Sequence, residues 1–97
     1  MTRPTLSIDY DGVIKDLHSD NPMPNAGPAI SRLAKKYDLV VLTARPDIGF
    51  VKTWIKDKLG LNMRVTNTKE KAVAYIDDHA FVFSAEHGGW MDVLNKF

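Results

Sequence analysis

Leu6-Ser7-Ile8-Asp9-Tyr10-Asp11-Gly12-Val13-Ile14 is the stretch on which the reading of the chain turns. A short apolar strand, Thr5 to Asp9, runs into two carboxylates at i and i+2, and a glycine follows at once so that the backbone can turn. Residues two apart in a strand share a face. If the strand ends at Asp9, Asp11 lies in the turn and can swing round to the same pocket. Two acids at the end of a buried strand are costly unless something cationic holds them, which points to a metal site, a catalytic pair or both. On its own, an Asp-x-Asp-Gly is equally an ordinary acidic turn in solvent.

The other strands change that balance. Leu39-Val40-Val41-Leu42 is a continuous apolar run, as in a strand buried on both faces of a parallel sheet, and it ends in Thr43-Ala44-Arg45-Pro46. Ala72-Val73-Ala74-Tyr75-Ile76 ends in Asp77-Asp78-His79. Between these strands lie helical patterns. Ile30, Leu33, Ala34 and Tyr37 fall at i, i+3, i+4 and i+7 after Pro28, which suits a first helical residue. Arg32, Lys35 and Lys36 take the solvated face. Ile48, Val51, Ile55 and Leu59 line a second helix that follows Pro46 and is capped by Gly60, with Trp54 read as core. Met63 to Thr66 is a weak strand, Phe81-Val82-Phe83 a short one, and Trp90, Val93, Leu94 and Phe97 fit a closing helix.

The order strand, helix, strand, helix, strand, strand predicts an α/β fold: a three-layer, Rossmann-like parallel sheet with helical crossovers. In such sheets ligands bind beyond the carboxyl ends of the strands, where the strand order reverses. Three strands ending in chemistry-bearing residues are more than a chance acidic turn explains. Val13 to His18 reads as a hairpin arm or extended loop, and Ser19 to Gly27, with Pro22 and Pro24, as a loop. Residues 13–27 can therefore cover the pocket, but they are too short for a separate cap domain.

Composition narrows the classes. At 97 residues the chain suits a single domain over 1–97. Thirteen basic and 12 acidic side chains give a net charge of +1, so bulk charge does not indicate a nucleic-acid or membrane surface. With no cysteine, any metal must be held by oxygen or imidazole, and a carboxylate set favours a hard ion such as magnesium. No apolar run approaches a membrane span and the first residues do not resemble a signal peptide, so a cytoplasmic location is expected.

Asp9, the backbone carbonyl of Asp11, and one of Asp77 and Asp78 would form an oxygen cage for a divalent ion. The best substrate for such a site is a phosphoryl group, whose anionic oxygens need the cation. Thr43 can donate its hydroxyl to a phosphate oxygen, and Lys69 or Lys71 can supply the remaining positive charge. Arg45 either lines the pocket mouth or pairs with a loop acid. His79 reads as a turn residue rather than a substrate contact, His18 as exposed, and His87 has no evident partner.

Those residues carry a resemblance. Asp9-Tyr10-Asp11-Gly12-Val13, Thr43 with Ala44-Arg45, Lys69 in Thr66-Asn67-Thr68-Lys69, and Asp77-Asp78 resemble, in order, the four motifs of the haloacid dehalogenase-like superfamily of phosphohydrolases. Small capless members ending in Tyr-Ile-Asp-Asp-Arg-Ala are the nearest likeness, and here His79 stands in place of that arginine. The resemblance implies strand order 3-2-1-4-5 with no cap domain. It implies that Asp9 attacks phosphorus to form an aspartyl-phosphate and that Asp11 serves as acid and then base. It also implies that Thr43 and Lys69, with Gly12 and Ala44, bind the phosphate, and that magnesium sits on Asp9, Asp11 and one of Asp77 and Asp78, Asp78 being favoured.

A phosphorylated small-molecule substrate is expected, with no membrane partner, and a homo-oligomer would cover an exposed sheet edge. Other readings share the site. A phosphotransferase and a nucleic-acid-end phosphatase differ in acceptor and substrate size. A phospho-receiver domain carries its paired acids near the N-terminus and its phosphorylated Asp later, the reverse of the order here. A binding module that keeps the fold would have to retain costly buried acids to no purpose.

Overall fold

The computed structural model describes residues 3–68, 74–77, 81–82 and 89–97. In chain order the elements are β1 (Thr5–Asp9), α1 (Ala26–Leu33), β2 (Asp38–Leu42), α2 (Ile48–Leu59), β3 (Arg64–Thr66), β4 (Ala74–Asp77), β5 (Phe81–Val82) and α3 (Gly89–Lys96). The described strands form one sheet in the order β3-β2-β1-β4-β5, every pair parallel. The chain is thus a small α/β protein with β1 in the middle of its sheet.

The period-two alternation of the strands sorts their side chains. Ile8 is in register with Val41 and Ile76, and Val41 with Val65, so these four share a face. They join Leu6, Ile30, Leu33, Val51, Ile55, Trp90 and Val93 in one buried cluster to which all three helices contribute. Each fully buried aliphatic side chain of this kind is worth about 1.5–3 kcal/mol relative to exposure. Ser7 and Val40 are buried on the opposite face of the sheet, 3% and 0% exposed.

Local chemistry sets the helix ends. In α1, Ala26, Ala29, Ile30 and Leu33 fall at i, i+3, i+4 and i+7 and are buried. The helix begins two residues before Pro28, which occupies its first turn, where a missing N–H costs nothing. It ends at Leu33, short of the expected Tyr37, and the chain passes through a turn in which the Tyr37 N–H donates to the Leu33 carbonyl at 2.9 Å. Asp47 opens α2 by accepting the Phe50 N–H at 3.0 Å, a cap worth about 1 kcal/mol. Gly60 closes α2 in the left-handed region at φ 70, its N–H donating to the Lys56 carbonyl. Trp54 packs as core, 6% exposed. Of the strand expected over Ala72 to Ile76, residues 72 and 73 lie outside the described residues, as does Phe83 of the last strand. Among the described residues no helix is long and apolar enough to cross a membrane.

Candidate active site

The sheet register brings three strand ends together. Asp9 pairs with Leu42, and Leu42 with Thr66. The ladder runs one residue further on each side, with the Tyr10 N–H donating to the Leu42 carbonyl at 3.1 Å and the Thr43 N–H to the Thr66 carbonyl at 3.0 Å. On the other flank Ile8 pairs with Ile76, so continuing that register by one residue sets the backbone of Asp77 beside Asp9. Asp9, Thr43 and Asp77 therefore end three adjacent parallel strands at the carboxyl edge of the sheet.

Asp9 is half-buried, and its carboxylate accepts the Tyr10 N–H at 3.1 Å. Thr43 is 2% exposed, and its hydroxyl oxygen accepts the Arg45 N–H at 3.1 Å, which leaves the hydroxyl proton for an incoming acceptor. Gly12 sits at φ +80, a backbone conformation that favours glycine, and a Cβ there would press on the exposed Leu17 side chain at 3.1 Å. Its N–H is committed to the Lys15 carbonyl at 2.7 Å. Gly12 thus serves the turn, through its conformation, and its amide is already engaged where the resemblance implied a phosphate contact. Ala44 is exposed in the loop after β2.

Lys69 and Lys71, Asp78, His79 and His87 lie outside the described residues, as does the side chain of Asp77. Among the described residues no three acidic or histidine side chains gather as a metal-holding group. His18 is exposed, as the sequence indicates.

The turn after β1 is tightly built. The Tyr10 carbonyl accepts the N–H groups of Val13, Ile14 and Lys15, and Val13 and Ile14 are buried. Trp90 Nε1 donates to the Val13 carbonyl at 2.9 Å, tying α3 to this turn. Farther along the covering segment, Asp20 accepts from Trp54 Nε1 at 2.9 Å and pairs with Lys58 at 3.5 Å. The segment 13–27 is accordingly part core and part strap, fastened to α2 and α3. The hydrogen bond from Trp54 holds the Asp20 carboxyl below its ordinary range.

Arg45 resolves one alternative left by the sequence. It pairs with Asp11 in a two-pronged arrangement, Nη2 to Oδ1 at 2.8 Å and Nε to Oδ2 at 3.1 Å. The guanidinium hydrogen bonds keep the Asp11 carboxyl below the usual carboxylate range, against the opposing effect of burial. Both side chains are more than a third exposed, so solvent screening limits the pair to about 1 kcal/mol or less. Because the folded pKa is depressed, that stability is present above the ordinary value of 3.8 and is lost as pH falls through the lowered one. Arg45→Met is expected to lower the urea-unfolding free energy by that amount at pH 7, with the difference from wild type closing in acid.

Tyr10 lies beneath this pair, fully buried, its ring edge-on to Trp54 at 5.4 Å and under the Arg45 guanidinium at 5.5 Å. Its hydroxyl has no hydrogen-bond partner among the described residues. Burial pushes its pKa up to about 12. With the folded pKa raised above 10.0, Tyr10 contributes stability below that pH, which is lost as pH rises toward 12. Wild type is expected to lose about 2–3 kcal/mol from this source across that window, at 1.36 kcal/mol per pKa unit. Tyr10→Phe should lack that alkaline loss in paired denaturation series. At pH 7 the variant should be equal to wild type or up to about 1 kcal/mol more stable, because it removes an unsatisfied buried hydroxyl.

The sequence marked Asp9, Asp11 and Thr43 and left Arg45 between two roles. It missed Asp20, whose partner is 34 positions away, and Phe50, whose exposure no local pattern signals. No family model, no curated protein and no solved structure matches this chain.

Proposed function

We propose that this chain is a magnesium-dependent phosphohydrolase of the haloacid dehalogenase-like type, acting on phosphomonoesters through an aspartyl-phosphate on Asp9. The observation that carries the assignment is the convergence of Asp9, Thr43 and Asp77 at adjacent carboxyl ends of a parallel sheet whose middle strand is β1. β1 lies where the strand order reverses, with β2 on one side and β4 on the other, the place where open parallel sheets bind ligands. The burial of Ser7 and Val40 on the face away from the helix-packed cluster supports a second covering layer, and with it the three-layer form of the fold.

In this scheme an Asp9 oxygen attacks phosphorus as the bond to the leaving oxygen breaks. Asp11 gives that oxygen a proton, then takes one from the water that releases phosphate. Thr43 donates its hydroxyl to a phosphoryl oxygen, and Lys69 or Lys71 balances the charge. The pair with Arg45 stabilises Asp11 as an anion, the form that takes a proton. To give one, Asp11 must first be protonated and its hold on Arg45 loosened. The donor set, all oxygen and mostly anionic, fits magnesium: Asp9, the Asp11 carbonyl, and one of Asp77 and Asp78 would hold it, and it would neutralise the clustered acids and the phosphoryl oxygens.

The test is a panel of phosphomonoesters with and without magnesium. Release of inorganic phosphate that EDTA abolishes and magnesium restores is the expected result. Transfer of phosphate to an added alcohol in preference to water would favour a phosphotransferase. No turnover on any ester would favour a binding module.

A further inference from the structure

Three large apolar side chains are exposed among the described residues: Leu17 at 64%, Phe50 at 51% and Met91 at 53%. Two of them adjoin residues next to or bonded to Asp11. Leu17 lies against Gly12, the residue after Asp11. Phe50 stands in the first turn of α2, with the Arg45 guanidinium 6.0 Å from its ring centre. That guanidinium is bonded to both Asp11 oxygens and also lies over Tyr10, which in turn meets Trp54 edge-on. A series of flat groups, Trp54, Tyr10, Arg45 and Phe50, thus runs from the core past Asp11 and ends in solvent at Phe50. Beside it, Phe50 and Trp54 line a groove of about 190 Å3 together with Asp20, Thr53, Asp57 and Lys58.

We infer that Arg45 and Phe50 form a subsite for a planar aromatic ring on the leaving-group side of the substrate, so that the substrates are phosphomonoesters of aromatic alcohols or nucleosides. The inference rests on the assignment of Asp11 as the acid that protonates the leaving oxygen. Whatever is attached to that oxygen must then lie next to Asp11, whose carboxylate is held by the Arg45 guanidinium, with the exposed Phe50 ring beyond it. An aromatic ring gains both from stacking on Phe50 and from the positive charge over its face. A small polyol gains neither and leaves the Phe50 ring wet.

The experiment compares kcat/KM for phenyl phosphate, adenosine 5′-monophosphate and glycerol 3-phosphate. At least one aromatic ester is expected to exceed glycerol 3-phosphate by about tenfold or more, the scale of one stacked ring. Phe50→Ala should cut that ratio by about tenfold, and Phe50→Trp should keep it. Preference for the phenyl ester alone identifies a ring directly on the phosphate oxygen, and preference for the nucleotide alone identifies one set back by a sugar. Equal kcat/KM on all three, or an unchanged ratio in Phe50→Ala, overturns the subsite while leaving the phosphohydrolase assignment standing. If no ester is turned over, that assignment fails separately, and titration with adenosine and with phenol decides the subsite by NMR. Shifts at Phe50 and Arg45 would support it, and their absence with both ligands would overturn it.

Discussion

Asp9→Asn is expected to lower magnesium-dependent phosphate release by about 10³-fold or more, the scale on which enzymes lose activity when the nucleophile is removed. The fold should survive. Asp9 accepts the Tyr10 N–H through one carboxylate oxygen, and the amide oxygen of asparagine can take the same hydrogen bond. What disappears is the anionic oxygen that would attack phosphorus, together with one negative charge. The variant should therefore unfold at a urea midpoint close to that of wild type. The two measurements belong together: loss of activity with an intact midpoint assigns a chemical role, whereas loss of both would indicate a damaged fold. Full activity in Asp9→Asn would refute the nucleophile assignment, whatever the substrate.

The largest effect on stability is expected at Trp90. It is 1% exposed and the largest of the fully buried side chains, and it lies in the cluster that joins α3 to the sheet. Its indole N–H also satisfies the Val13 carbonyl at 2.9 Å, in the turn that carries Asp11 and Gly12. Trp90→Ala removes the packing and opens a cavity, at a cost of about 3–5 kcal/mol. For a small domain with a total stability of about 5–15 kcal/mol, that is enough to leave a measurable unfolded fraction under mild denaturant. Trp90→Phe separates the two contributions. It keeps most of the apolar volume but leaves the Val13 carbonyl without its donor, so a smaller loss of about 1–3 kcal/mol is expected. A Phe variant as unstable as the Ala variant would mean that the hydrogen bond matters more than the packing. An Ala variant within about 1 kcal/mol of wild type would mean that α3 contributes little to the core.

The parallel α/β sheet was legible in the sequence because buried parallel strands leave a distinctive trace. Leu39-Val40-Val41-Leu42 lacks the polar alternation of a half-exposed strand, and the helical patterns on either side of it have the right lengths for crossovers. Helix boundaries were less legible. Pro28 marks the neighbourhood of a helix start without fixing the residue, since proline is tolerated throughout a first turn. Asp9, Asp11 and Thr43 stood out for a similar reason: acids and a hydroxyl at the tips of apolar strands are expensive unless they have work to do. Arg45, Asp20 and Phe50 carry no comparable mark. A surface arginine, a loop aspartate and a helix phenylalanine are common residues, and only their neighbours distinguish them.

The sequence by itself therefore determined which residues end the buried strands, because the cost of placing polar groups there is written into the local pattern. The tertiary structure decided what those ends touch. It set β1 between β2 and β4, which brings Asp9, Thr43 and the backbone of Asp77 to one edge. It gave Asp11 to Arg45, laid that guanidinium across Tyr10 and Phe50, and fastened the covering segment through Asp20 to Trp54. Each of these contacts joins residues 34 or more positions apart, or depends on which way a side chain leaves its helix. Such pairings follow from how the sheet orders its strands, and local periodicity holds no record of them.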